Sequence, residues 1–155
     1  MGIGRRAWFV LLAGLAGALL GAGGFTFVYA RGYSYLSDDQ NACVNCHIMR
    51  PQFDGWRKAT HHAVATCNSC HVPEGGVAKW RTKGENGFWH SYYFTFQNFH
   101  EPIRITERNR SVLNANCLRC HTTLTAEIAP GRDSPNCVRC HDHVGHEPAA
   151  SGLTG

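Results

Sequence analysis

The sequence predicts a mainly α-helical protein with much irregular structure and little or no sheet, in which one N-terminal transmembrane helix precedes a compact domain. Two observations support this fold class. Residues 8–30 contain no charged side chain, and this run is long enough for a helix to cross a membrane. After this run, the pattern Cys-x-x-Cys-His occurs four times and uses all eight cysteines of the chain. The domain is therefore organised around short cysteine-bearing segments.

The four copies share one spacing, which is the attachment signature of a c-type haem. The two thiols reach the two vinyl groups of one porphyrin, and the adjacent imidazole falls under the iron. Zinc sites, iron–sulfur clusters and disulfides also use paired cysteines, but none of them needs a histidine after every pair. We therefore predict a cytochrome c with four covalently bound haem c groups. The predicted attachment residues are Cys43 and Cys46, Cys67 and Cys70, Cys117 and Cys120, and Cys137 and Cys140.

The domain after the anchor is small for four cofactors. About 125 residues follow the anchor, so each haem has about 31 residues to itself. The haems must supply much of the core, and we expect little stable structure without them, because so short a chain buries too little apolar area. We predict an anchor over residues 1–31 and a tetrahaem domain over residues 32–155.

The apolar run has the features of an uncleaved signal anchor. A helix over residues 8–30 is about 34 Å long, which is enough to span the hydrocarbon layer. Arg5 and Arg6 precede it, and this basic bias favours an N-terminus in the cytoplasm and a haem domain in the periplasm. A cleaved signal peptide is the alternative, but its apolar region is typically shorter. We therefore predict a single-pass protein of the cytoplasmic (inner) membrane.

The spacing of the motifs predicts two dihaem modules. The first two motifs start at Cys43 and Cys67 and the last two at Cys117 and Cys137, and the interval between the pairs is about twice as long as either spacing within a pair. The modules would cover about residues 41–75 and 115–146. Only a short polar connector joins the anchor to the first motif, which keeps the first haem near the outer membrane surface. The net charge of +4 and the absence of a dense basic run argue against nucleic-acid binding.

An aromatic segment lies between the two predicted modules. Phe88, Tyr92, Phe96 and Phe99 fall at helical spacing along one face. Packing against porphyrin rings is one interpretation of this face. The other is a wall that faces the membrane beside the first haem, because aromatic side chains favour the interface.

Four hexacoordinate haems need eight axial ligands. The proximal candidates are His47, His71, His121 and His141, the histidines of the four motifs. His61 or His62 and His146 are candidate distal ligands, because they lie close to a motif in sequence. His90 and His100 stay open as ligands, and His143 is disfavoured because it follows His141 so closely.

Met49 lies two positions after His47, so these two side chains compete for the same iron. A thioether ligand generally raises the potential of a haem relative to two histidines. A first haem with a different ligand indicates a special entry or exit point for electrons. The alternative is a methionine that only packs on the ring.

The single anchor, the four haem motifs, the compact length and the first motif extended to Cys-x-x-Cys-His-x-Met resemble the NapC/NirT/NrfH family of membrane quinol dehydrogenases. Residues 34–38 and 49–52 most resemble the small members that supply electrons to the pentahaem nitrite reductase. The resemblance implies that Met49, rather than His47, ligates the first haem at a quinol site. It also implies that Lys83 lines the quinol pocket, and that His90 stands where other members carry an acidic residue or a histidine.

For the remaining haems, the resemblance implies that His61 or His62 and His146 complete the third and fourth haems. The second haem would then take its sixth ligand from the partner enzyme.

The function that the resemblance implies is oxidation of menaquinol, with Lys83 and His90 as catalytic candidates that bind the quinol or accept its protons. The electrons would pass to the periplasmic pentahaem cytochrome c nitrite reductase, which reduces nitrite to ammonia. A general quinol dehydrogenase of the NapC type, serving other periplasmic reductases, is one alternative. A passive membrane-tethered shuttle is another, and a terminal reductase of a small oxyanion is a third.

Overall fold

The computed structural model describes residues 4–127 and 136–146. Within these ranges the structure is helical with irregular connections and contains no strand. The α-helices are α1 (Arg5–Tyr29), α2 (Arg50–Lys58), α3 (Cys67–His71), α4 (Gly76–Thr95) and α5 (Glu107–Thr125). Short 3₁₀ turns cover Gly32–Leu36, Gln40–Asn45, His47–Met49, Thr60–Ala63 and Cys137–Arg139. The predicted fold class is confirmed.

Helix α1 is the predicted anchor, and all 25 residues of it are exposed. In the described part of the chain it is the helix that is long and apolar enough to cross a membrane. It begins slightly before the predicted run, so that Arg5 and Arg6 form part of its first turn. The helix ends where Arg31 adopts a left-handed conformation with φ of 52°. A Cβ atom at Gly32 would lie 2.5 Å from the Phe27 ring, so the chain needs glycine there.

The contacts within the chain divide it into two units, Met1–Ser34 and Tyr35–Gly155. The second unit contains the four motifs and has little apolar core. Among the described residues, the buried apolar side chains are Trp56, Val72 and Val138, and no large side chain is completely buried. A core this small is in line with the expectation that cofactors fill the interior.

Helix α5 holds the later motifs together through polar side chains. Asn116 donates one amide hydrogen to the Cys70 carbonyl at 2.8 Å and one to the Val72 carbonyl at 3.1 Å. Asn114 accepts a hydrogen bond from the Cys137 N–H at 3.2 Å. Both asparagines are buried, and each bonds to backbone groups that need a partner in the interior. One helix therefore fixes the second, third and fourth motifs relative to each other.

Helices α3 and α5 each begin at a threonine cap. Thr66 accepts a hydrogen bond from the Ser69 N–H, and the Ser69 hydroxyl accepts one from the Thr66 N–H. Thr106 caps α5 by accepting from the Asn109 N–H. Helix α5 is distorted at His121, where φ is −107° and ψ is 22°. The distortion falls on the motif histidine, so it changes the direction in which the imidazole projects.

Candidate functional site

The structure brings consecutive motifs into contact through their cysteines. All eight cysteines are free of disulfides. The Cys43 and Cys67 side chains lie close to each other, and so do those of Cys117 and Cys137. The first motif thus meets the second, and the third meets the fourth. Since Asn116 ties the third motif to Cys70, the four motifs form one continuous series.

His71 and His146 face each other as a pair of axial ligands would. Their ring centroids lie 6.1 Å apart and their planes differ by 23°. The His146 Nδ1 atom lies 2.8 Å from the Gln52 carbonyl, which can only accept, so Nδ1 carries the proton and Nε2 is left for a metal. Burial lowers the pKa of His71 to about 4, helped by the nearby imidazoles of His146 and His90. His71 is therefore neutral near pH 7, as an iron ligand must be.

His61 and His121 form a second facing pair, with centroids 6.1 Å apart and planes at 72°. The neighbouring His62 instead packs edge-on against Trp56, with centroids 4.6 Å apart. The structure thus separates the two adjacent histidines, which sequence reasoning left as alternatives.

The spacing of both pairs is compatible with one metal ion between the two rings, since a metal–imidazole bond is about 2.0–2.1 Å long. The Nε atoms of Arg110 and Arg119 are buried and have no hydrogen-bond partner among the described residues. Haem propionates are acceptors of the kind that such arginines bind. The residues present therefore fit haem c.

The pairing differs from the implied ligand set in one respect. His146 was expected at the third or fourth haem, but it faces His71 of the second motif. His141, the histidine of the fourth motif, is exposed, and in residues 4–127 and 136–146 no aromatic ring packs on it. His143 interacts with Asp142 at 3.1 Å, and His100 is exposed.

The first motif places two competing side chains on one turn. The 3₁₀ turn His47–Met49 follows Cys46 directly, and the Met49 N–H donates to the Cys46 carbonyl at 2.9 Å. His47 is exposed, whereas Met49 is half-buried. Both remain candidates for the iron of this motif.

Residues 35–38, here named the connector segment, contact one face of α4, and the polar region where the two meet is here named the cleft. That face carries Lys83, Gly87 and His90. Residues three or four positions apart in a helix lie on the same side of it. The Tyr35 ring packs on α4 at Gly87, where a Cβ atom would lie 3.4 Å from the ring. A longer side chain at this position would displace the ring.

Lys83 is buried in this cleft, with 6% of its surface exposed. Its Nζ donates to the Ser37 carbonyl at 2.5 Å and to Asp38 Oδ1 at 2.8 Å. Hydrogen bonds from Lys79 and Lys83 lower the pKa of Asp38 to about 2, so the carboxylate is ionised at neutral pH.

His90 occupies the other end of the cleft, where its Nδ1 lies 2.8 Å from the Tyr35 hydroxyl. His90 keeps a solvent-exposed surface, but the protein atoms around its ring displace enough water to lower its pKa, which favours a neutral ring. Burial and the neighbouring Cys46 and Cys43 raise the pKa of Tyr35 to about 12, so its phenol keeps its proton. Two residues predicted to act together, Lys83 and His90, thus lie in one cleft that borders the cysteines of the first motif.

Sequence reasoning did not assign a site role to Tyr35 or Asp38. Their partners His90 and Lys83 are distant in the chain, and no local pattern links them. The repeated motif residues, by contrast, were recognisable individually.

The aromatic segment is exposed in the structure, with Phe88 and Phe96 at 63% and 65%. Tyr92 lies between these two rings, with centroids 6.4 Å and 4.8 Å away. Helix α4 ends at Thr95, so Phe99 does not continue the predicted helical face. Packing of this face on porphyrin rings and packing on the membrane both stay predictions.

Comparison with known proteins identifies the family. The sequence matches the NapC/NirT cytochrome c family, N-terminal region, over residues 4–151. The chain belongs to the NapC/NirT cytochrome c family. The resemblance found in the motifs is therefore confirmed, and with it the covalent binding of haem as a family property. Family membership and helix α1 together support a single-pass membrane protein.

Within the family, the chain is similar to two NrfH proteins and to one chain of a solved complex. The cytochrome c-type protein NrfH of Wolinella succinogenes is 31% identical over 132 residues, covering 83% of this chain and 75% of the relative. The cytochrome c nitrite reductase subunit NrfH of Nitratidesulfovibrio vulgaris is 36% identical over 115 residues, covering 74% and 70%. A chain in the crystal structure of the cytochrome c nitrite reductase NrfHA complex bound to the HQNO inhibitor is similar in fold. Its TM-score is 0.58 and its identity 28%, covering 91% of this chain and 97% of that one.

Proposed function

We propose that this protein oxidises menaquinol at the membrane and delivers the electrons to a periplasmic pentahaem nitrite reductase. The cleft that joins buried Lys83 to the Tyr35–His90 pair, beside the first motif, carries the proposal. Support for the partner comes from the two NrfH relatives and from the NrfHA complex. Support for a quinol site comes from the HQNO inhibitor bound to that complex.

The protein's own residues would bind the quinol and direct its two protons. When bound, haem c supplies the one-electron chemistry of the reaction. Lys83 can donate a hydrogen bond to one quinol oxygen, whose proton passes to solvent, and this bond stabilises the negative charge that develops there. His90 favours the neutral form, so it can accept a proton from the other hydroxyl, directly or through Tyr35.

The proposed ligand set follows the facing rings. Met49 would hold the first haem, His71 and His146 would hold the second, and His121 and His61 the third. For the fourth haem the chain offers His141 but no facing ring among the described residues. The sequence of residues 128–135 and 147–155 contains no histidine, methionine or lysine that could serve.

We therefore propose that the fourth haem, and not the second, takes a ligand from the partner reductase. Adding the reductase to the purified protein should convert one high-spin haem to low spin, as followed by electron paramagnetic resonance. A spin state that does not change on complex formation would contradict this assignment.

The orientation in the membrane rests on Arg5 and Arg6, which favour a cytoplasmic N-terminus and a periplasmic haem domain. The intact mass of the mature protein tests whether the anchor is kept. A mature chain that begins between Gly23 and Arg31 would show that the run is a cleaved signal.

The central experiment adds a reduced menaquinol analogue to the oxidised, detergent-solubilised protein and follows haem absorption. We expect prompt reduction of at least one haem, blocked by HQNO. No reduction by quinol, together with full reduction by dithionite, would favour the passive shuttle, after the test is repeated with the reductase bound. Electron delivery to several purified reductases separates a dedicated subunit from a general NapC-type dehydrogenase.

A further inference from the structure

The Asp38 carboxylate is the centre of a polar network that joins three parts of the haem domain. Its Oδ1 accepts from Lys83 Nζ at 2.8 Å and from Asn68 Nδ2 at 2.9 Å, and its Oδ2 accepts from Lys79. The network links the connector segment to α3, which carries the second motif, and to α4, which carries Lys83. A single carboxylate thus holds the elements on both sides of the cleft.

The network leaves Lys83 with one hydrogen to offer. An ammonium group has three N–H donors and no acceptor. The Ser37 carbonyl and Asp38 Oδ1 use two of them, and the third has no acceptor in the part of the chain that the structure describes. The Trp80 ring centroid lies 5.6 Å from Nζ and forms an apolar wall beside it. The direction of the remaining N–H is therefore set by the two bonds already made.

Burial makes the partner of this ammonium important. A buried charge without a partner is strongly disfavoured, and a lysine in that situation tends to lose its proton. Asp38 supplies the opposite charge, while about half of its own side chain stays in contact with solvent. The Asp38 carboxylate therefore offsets the charge of the Lys83 ammonium in a cleft that the Tyr35 and Trp80 rings border.

We infer that Asp38 is a positioning residue for quinol binding, which holds the Lys83 ammonium charged and aims its third N–H at a quinol oxygen. This inference rests on the proposed quinol oxidation. Asp38 then contributes to the affinity for the substrate and not to haem binding. Its contacts are with lysine and asparagine side chains and not with motif cysteines or histidines.

The test compares three variants of the full-length, haem-loaded protein. Asp38→Asn removes the charge but keeps an acceptor, and Asp38→Glu keeps the charge on a longer arm. Asp39→Asn is the matched control, because it removes the same charge at the next position. Asp39 caps the following 3₁₀ turn by accepting from the Asn41 N–H, and asparagine caps equally well. The readouts are haem content, KM and kcat for a menaquinol analogue, and HQNO affinity by calorimetry.

We expect Asp38→Asn to weaken HQNO binding and to raise KM by about tenfold, the size of effect that a lost charge-assisted bond produces. Its kcat at saturation and its haem content should stay within about twofold of the wild type, because no motif cysteine or histidine contacts Asp38 and asparagine keeps an acceptor for Asn68. Asp38→Glu should recover part of the affinity, and Asp39→Asn should match the wild type.

The alternative outcomes are distinct. If Asp38→Asn binds HQNO as tightly as Asp39→Asn does, the positioning role is overturned. A parallel fall in haem content and kcat with unchanged KM would also overturn it, since that pattern indicates a structural role. If the wild type itself is not reduced by quinol, alone or with the reductase bound, the proposed function fails, and the role of Asp38 fails with it.

Discussion

Two regions of the haem domain use polar side chains in opposite ways. Around α5, the uncharged side chains of Asn116 and Asn114 bond to backbone groups. Asn116 bonds to the second motif and Asn114 to the fourth. Around α4, Lys83 and His90 contact the connector segment mainly through ionisable side chains. The first region is suited to holding cofactors in a fixed array. The second keeps charged and titratable groups together with a spare donor, as a site for a small polar ligand requires.

The largest effect is expected where a ring pair is broken. His146→Ala should convert one of the low-spin haems to high spin, because His71 then loses the ring that faces it at 6.1 Å. Electron paramagnetic resonance of the oxidised protein measures this change. His143→Ala is the control, since His143 is exposed and should leave the spectrum unaltered. An unchanged spectrum in the His146 variant would remove this residue from the ligand set.

The next effect tests the α4 region directly. Replacement of Lys83 or His90 by alanine should lower quinol oxidation by about 10- to 100-fold, the range for loss of one bond to a charged or reacting group. Haem content should not change, because neither replacement touches a motif residue. His100→Ala is the matched control for His90→Ala, as His100 is also exposed to solvent but lies outside the cleft. Wild-type turnover in both the Lys83 and His90 variants would exclude the cleft from the mechanism.

The α5 region should respond in stability rather than in turnover. Asn116→Ala leaves the Cys70 and Val72 carbonyls without their donor, and each buried unsatisfied group costs about 1–3 kcal/mol. The free energy of unfolding of the haem-loaded protein should fall by about 2–4 kcal/mol. Denaturant titration measures it, with the exposed Asn98→Ala as control. If the two variants unfold at the same denaturant concentration, α5 does not hold the motifs in the way described.

The smallest expected effect is on the free energy of unfolding at low pH. The pKa of Asp38 is lowered to about 2, so its ionised form is stabilised by folding. That contribution is present above the unfolded pKa of about 3.9 and is lost as pH falls towards 2. The stability difference between wild type and Asp38→Asn should therefore shrink between about pH 4 and 2. Unfolding curves across this range check it, and a difference that stays constant would contradict the ion pair.

The same contrast separates what could be predicted from the sequence from what could not. The eight cysteines, the four motif histidines and helix α1 each carry a local signature, a fixed spacing or an uncharged run, which needs no knowledge of the fold. Lys83 and His90 came from the family resemblance. The choice of His61 over His62, and the pairing of His146 with His71, depend on how separate segments pack. Asp38 was missed for the same reason, as was Tyr35, since their partners are distant in the chain and these residue types are common on surfaces.

The pairing of His146 with His71 joins two distant parts of the chain. His146 follows His71 by about half the length of the chain, whereas His61 comes before His121. A chain made from its N-terminus therefore contains His61 before the third motif, but contains the second motif well before His146. A chain truncated before His146 would retain every attachment motif but lose the ring that faces His71.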